Sequence, residues 1–246
     1  MGIITININF KYTEDANGKD PDIHSAQLRE DLLYLYRKEL PNGVLFDIQK
    51  GKDITDDYLV WNGWRFSSDS ITNTYTHQKN YQWMIQELEK TAFYEELINK
   101  YRAVDYTIGC HIIYPKNNNK NNPKSYSINQ ARGTNSKILD RMDLTLECIR
   151  RFYNNENSPL YDKLEENSYF FDLFKDKTGK NGFENYVDFF YLNDLLVNSD
   201  YTKINYFLPF DNFERLPKPQ DTNEWKVFCE KQIDFINARN IRISKL

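Results

Sequence analysis

The chain has 246 residues, 40% hydrophobic and 15% aromatic, with 18 Tyr and 16 Phe. That is ample material for a core, and the aromatic content excludes a disordered chain despite a mean hydropathy of −0.76. With 32 Lys and Arg against 36 Asp and Glu, a net charge of −4 and no basic block, a sequence-independent grip on nucleic acid is not expected.

Cys110, Cys148 and Cys229 are odd in number and never in a CxxC spacing, which speaks against a disulfide framework or a zinc ribbon and for a reducing, cytoplasmic setting. MGIITININF lacks the basic start and long apolar run of a secretory signal, and no stretch approaches the length of a membrane span.

In chain order, residues 3–10 alternate, placing Ile4, Ile6, Ile8 and Phe10 on one face of a strand. A helix is predicted from about Ser25, with Ser25 or Asp22 as cap, to Leu40, where Pro41-Asn42-Gly43 ends it; Leu28, Leu32, Leu35 and Tyr36 form its apolar stripe. Val44–Ile48 reads as a short strand. Leu59–Trp61 and Trp64–Phe66 around Asn62-Gly63 make a strong hairpin signal, because Asn-Gly tolerates the positive φ angles of a type I′ turn. Helices follow over 78–90 and 93–101. Tyr106–Tyr114 reads as a buried strand stopped by Pro115, residues 116–124 as a polar loop, and Ser125–Gln130 as the returning strand. Helices are predicted over 138–153, over 159–174 behind Ser158-Pro159, over 184–197, and from Asn223 to about Asn240, with a strand at Ile204–Phe207. The order points to an α+β fold: one domain, a small mostly antiparallel sheet and five or six helices.

The candidate chemistry lies in 126–153, predicted as strand, turn and helix. At 100° per residue, Ile138, Met142, Leu146, Ile149 and Tyr153 share one stripe, and Asp140, Asp143 and Glu147 fall within roughly 60° nearly opposite it. Two readings stand. These acids are a solvated face, with Glu147 paired to Arg150 or Arg151, or they are acid/base groups, with Asp143 and Glu147 ligands for Mg²⁺ or Mn²⁺. Just upstream, Arg132, Gly133 and Lys137 at the turn suit a phosphate or carboxylate, or simply accompany a helix cap. The three histidines are scattered, and the basic end of the last helix, Arg239 and Arg242, is explained by the helix dipole.

The segments KDPDIHSAQLR (19–29), YTIGCHIIYP (106–115), SINQARG (127–133), ILDRMDLTLECIRRFY (138–153), YVDFFYLNDL (186–195), FLPF (207–210) and FINARNIRI (235–243) together resemble a bacterial family known as a domain of unknown function. The resemblance runs over nearly the whole chain and implies a single domain; it departs at 116–124 and 176–184, and it carries no activity. The expectation is an enzyme or ligand-binding domain for a phosphorylated or nucleotide-like molecule. The alternative is a protein-interaction module, suggested by Phe170, Phe171, Phe189, Phe190 and Tyr191.

Overall fold

Side-chain caps start the first helices. The computed structural model describes residues 6–51, 59–116 and 127–246. Asp20 caps α1 (Pro21–His24), and Ser25 caps α2 (Ala26–Tyr36), its hydroxyl accepting from the Leu28 amide at 2.9 Å. Leu28, Leu32, Leu35 and Tyr36 are all buried, as the helical period requires. The alternation before them does not make a strand in its described part. Ile6–Phe10 is turn and coil, with Ile6 buried and Ile8 and Phe10 packed on the core, while Ile4 lies outside the described residues. Val44–Ile48 reaches only an isolated bridge, Glu39 to Leu45.

The main sheet is β1 (Gln49–Lys50), β2 (Leu59–Trp61), β3 (Trp64–Ser70) and β4 (His111–Lys116), antiparallel and adjacent in that order. The hairpin turns at Asn62 and Gly63, with φ of 47° and 79°. Between β3 and β4 lie α3 (Gln82–Leu88) and α4 (Tyr94–Val104). β4 starts later than expected, because Tyr106 takes φ 56° and Ile108–Cys110 form a 3-10 turn. It then runs through Pro115, which sits opposite Phe66; among the described strands β4 is an outer one, where a missing N–H is tolerated.

The largest departure follows. The returning strand expected over Ser125–Gln130 is, in its described part, helix α5 (Ile128–Thr134). Ser127 Oγ accepts from the Gln130 amide and Gln130 Oε1 from the Ser127 amide, both at 3.2 Å, a reciprocal cap that overrides the β tendency of the segment. The stretch from 127 to 153 is therefore helix, turn and helix. The second helix, α6 (Met142–Tyr153), begins after Leu139 and Asp140, whose φ values of 44° and 62° reverse the chain. The polar loop expected over 116–124 lies, beyond Lys116, outside the described residues.

The helix expected over 159–174 is split at Asn167 into α7 (Tyr161–Glu166) and α8 (Ser168–Asp172), and the one expected over 184–197 ends early as α9 (Gly182–Phe189). β5 (Leu196–Val197) and β6 (Asp200–Ile204) form a second, two-stranded antiparallel sheet, and α10 (Thr222–Ile243) closes the chain behind its Asp221 cap. This α+β arrangement surrounds one buried apolar cluster. Phe170, Phe171, Phe189, Phe190 and Tyr191 all belong to it, with Tyr186 and Phe190 centroids 4.7 Å apart, so core packing accounts for the aromatic wealth that suggested a partner surface.

Arg239 is not a solvated helix end. It is fully buried and donates to the carbonyls of Phe190, Ile108, Gly109 and His111 and to the Tyr36 hydroxyl. One residue on, Asn240 Oδ1 accepts from the Gly109 amide at 2.7 Å. A Cβ on Gly109 would stand 2.7 Å from that oxygen and from the Ile236 carbonyl, so glycine is what lets α10 approach the 3-10 turn that leads into β4.

Candidate functional site

The turn between α5 and α6 closes on itself: the Asp140 amide donates to the Arg132 carbonyl at 3.1 Å, and Arg132 Nη2 donates back to the Asp140 carbonyl at 3.0 Å. The Arg132 side chain, 0% exposed, also donates from Nε to Thr145 Oγ1 at 3.0 Å, pairs through Nη1 with Asp69 of β3, and lies 5.4 Å from the Tyr114 ring centroid. The structure therefore places Arg132 inside, where it ties the sheet to the helix pair.

Thr145 carries the network onward by donating to the Arg141 carbonyl at 2.9 Å. Arg141 grips both oxygens of Asp143, and its Nη1 donates to the Pro217 carbonyl at 3.0 Å. Asp143 Oδ2 also accepts from the Phe207 amide at 2.8 Å. Asp143 is completely buried and Glu147 nearly so, at 2%. Glu147 Oε2 takes Arg150 Nε at 2.8 Å, and Oε1 takes Arg150 Nη2 at 2.9 Å and Arg151 Nε at 2.7 Å. Burial opposes ionisation of Glu147, but these bonds and charges outweigh it and hold the carboxyl below its ordinary range.

The three acids expected on one helix face are thus separated. Asp140 lies in the turn, Asp143 is locked to Arg141, and Glu147 is locked to two arginines further along α6. No three His, Cys, Asp or Glu side chains among the described residues are grouped to hold a metal ion. The face is also not solvated: α6 is buried on nearly every side, and its charges are neutralised internally.

Asp140 keeps different company. Its carboxylate oxygens pack against Gly133, where a Cβ would stand 3.1 Å from each. Burial raises its pKa and the Arg132 charge lowers it, with a net upward shift. Asp69 stands on the other side of Arg132. Burial pushes it up to about 7 despite the arginine, and Asp22, Asp140 and Asp20 add to the rise. Asp22 in turn faces His111, with Nδ1 3.1 Å from Oδ1. Asp69 is 63 positions from Arg132, and no local spacing signals their meeting.

Lys137 points the opposite way. With Arg151, Asn135, Asn157, Asn212 and Glu214 it lines an open pocket of about 500 Å³. Its Nζ lies 3.2 Å from Glu214 Oε1, an exposed pair with side-chain exposures of 46% and 71%. Arg151 Nη2 donates to Asn212 Oδ1 at 2.7 Å, and its guanidinium stands over the Phe213 ring, 5.0 Å from the centroid. Asn212 and Phe213 hold this wall with φ of 42° and 64°, a conformation that costs free energy at non-glycine residues. The pocket thus has an exposed ammonium and a hydrogen-bonded guanidinium in its lining, two groups that attract anions.

The three cysteines are buried and unpaired, and burial pushes the thiols of Cys110 and Cys148 up to about 11 and 12, which makes them inert at neutral pH. No described helix is long and apolar enough to cross a membrane.

The chain thus combines an α+β fold, a closed charge network and an open pocket lined by Lys137, Arg151 and Glu214. A family described as "Family of unknown function (DUF6994)" matches residues 6–243, and the chain belongs to that family. No curated protein and no solved structure matches the chain.

Proposed function

We propose that this protein is a ligand-binding domain or enzyme for a small phosphorylated or nucleotide-like molecule, held at the Lys137–Arg151 pocket of a bacterial cytoplasmic protein. The observation that carries the reading is the pairing of Lys137 with an exposed Glu214 in an open pocket. Such a pair is worth about 1 kcal/mol or less, so a phosphate displaces the glutamate at little cost. Arg151 offers guanidinium N–H groups, and the Glu147 and Asn212 bonds fix where they point. Arg132 and Gly133 serve by setting the turn, not by touching the ligand. Asp143 and Glu147 hold Arg141, Arg150 and Arg151 in place. Their oxygens are already engaged, so a Mg²⁺ or Mn²⁺ ion arriving with the ligand would ride on its phosphates.

Thermal denaturation with inorganic phosphate or AMP, with and without Mg²⁺ or Mn²⁺, tests this. At about 100 times Kd the expected stabilisation is roughly 2.7 kcal/mol, a rise of a few degrees. An equal rise in Lys137→Gln, or none in the wild type, removes the proposal.

A second reading rests on Asp69 and Asp140 as proton-transfer groups on either side of Arg132: Asp69, near 7, can both accept and donate a proton at neutral pH, and burial shifts Asp140 upward as well. Carboxyl-carbon NMR titration decides it: a midpoint near 7 for Asp69 supports the role, and one near 4 eliminates it.

A further inference from the structure

Residues 70–76, Ser-Ile-Thr-Asn-Thr-Tyr-Thr, place a hydroxyl at every second position. Ser70, Thr72, Thr74 and Thr76 all line one cavity of about 400 Å³, whereas the intervening Ile71 and Tyr75 are buried at 1% exposure each. The segment is anchored from behind by α10. Gln232 Oε1 accepts from the Asn73 amide and its Nε2 donates to the Asn73 carbonyl, both at 2.9 Å, and Trp225 Nε1 donates to the Thr74 carbonyl at 3.2 Å. Tyr75, at φ 61°, sets the bend between the last two threonines. Backbone groups are thus satisfied on the core side, and the hydroxyls are left for the cavity.

Not all of those hydroxyls are saturated. Thr72 meets Ser70 at 3.4 Å, the Tyr101 hydroxyl and the Cys110 thiol, which takes up its sites. Thr74 and Thr76 share one contact at 2.9 Å and Thr76 meets His77 Nδ1 at 3.2 Å; with one donor and two acceptor sites each, Ser70, Thr74 and Thr76 keep acceptor capacity. The facing wall is aromatic and aliphatic: Tyr94, Ile98 and Tyr101, three successive positions on one face of α4. At the rim, Tyr106 is 38% exposed and can cover a ring laid across the mouth. Arg102 and Asp105 bring opposite charges, and Asp105 is already paired with Lys11.

We infer that this cavity is a second binding site, one for an uncharged sugar ring. A comb of hydroxyls with Tyr94 on the facing wall and Tyr106 at the rim, without a dominant charge, suits a flat ring bearing several hydroxyls. The volume lies within the roughly 300–1,000 Å³ of small-molecule sites. It shares no lining residue with the Lys137–Arg151 pocket and stands or falls separately. The sugar ring can belong to a free saccharide or to a nucleoside.

Saturation-transfer NMR on the full chain, with glucose, ribose and adenosine as probes in phosphate-free buffer, tests it. Transfer from glucose or ribose supports the site with a free sugar as its ligand; transfer from adenosine alone supports it with a nucleoside. Thr76→Val removes one hydroxyl, and Tyr106→Asn removes a ring while keeping a residue that tolerates positive φ. A weakening of about tenfold in either folded variant is expected, as for the loss of one well-placed contact. No transfer from any of the three probes, or transfer undiminished in both variants, overturns the inference.

Discussion

Arg132 and Lys137 stand five positions apart and in opposite surroundings: one side chain is 0% exposed and the other 46%. On the inner side of the turn, Arg132 and Arg141 each meet a carboxylate and further hydrogen bonds. On the outer side, a lysine and a glutamate meet loosely in water. The formal charges are alike, but the solvent is not. Withdrawing a buried ion's partner leaves a desolvated charge, whereas an exposed ion is simply rehydrated. The inner side accordingly builds the fold, and the outer pair can part at little cost.

The largest effect is expected at Asp143. Asp143→Ala leaves Arg141 buried without its carboxylate and should cost about 3–5 kcal/mol in urea denaturation. Replacing both partners by apolar residues, Arg141→Met with Asp143→Leu, should recover much of that loss. A single-variant cost below about 1 kcal/mol would show that the inner side behaves like the outer. Arg132→Met should cost about 2–3 kcal/mol, somewhat less because Asp69, raised to about 7, can take up a proton once the guanidinium is gone. Its loss of amide-exchange protection should reach β3 as well as α5 and α6, since the guanidinium joins all three.

The pH dependence separates two acids of opposite behaviour. Asp69 is raised from 3.8 to about 7, so the folded state holds its proton where the unfolded chain has lost it. The stability of the wild type relative to Asp69→Asn should therefore fall as pH rises from 4 through 7, by at most about 1.4 kcal/mol per unit, then level off. Glu147 is held below its ordinary 4.5, and its contribution should be present above that value and vanish as pH falls through the folded value. Urea midpoints for Asp69→Asn and Glu147→Gln against wild type, between pH 3 and 8, check both signs. A flat Asp69 curve would remove it as a group titrating near neutrality. The smallest stability effect belongs to Lys137→Gln, within about 1 kcal/mol of wild type, with the phosphate-dependent thermal shift abolished.

Several elements were legible in the sequence because their causes are local. The Asn62-Gly63 hairpin, the Ser25 cap with its Leu28, Leu32 and Leu35 stripe, and the apolar period of α6 each depend on residues within a few positions of one another. The reciprocal cap Ser127-x-x-Gln130 was equally local, and it outweighs the β-like composition of that segment. The start of α6 was not legible, because positive φ at Leu139 and Asp140 is imposed by the clamp from Arg132.

What the sequence by itself determined is the inventory: an aromatic core, an α+β order of elements, and a concentration of charge between residues 132 and 151. Periodicity states which residues share a side of a helix, but not what lies against that side. For α6 the Glu147 bonds to Arg150 and Arg151 follow from the i+3 and i+4 spacing, but at Asp143 the polar side met Arg141 and the Phe207 amide instead of water. Only the tertiary structure decided which charges are desolvated and paired, and which, like Lys137, stay exposed. That choice depends on burial by segments far away in the chain, and burial sets the free energy of every charge.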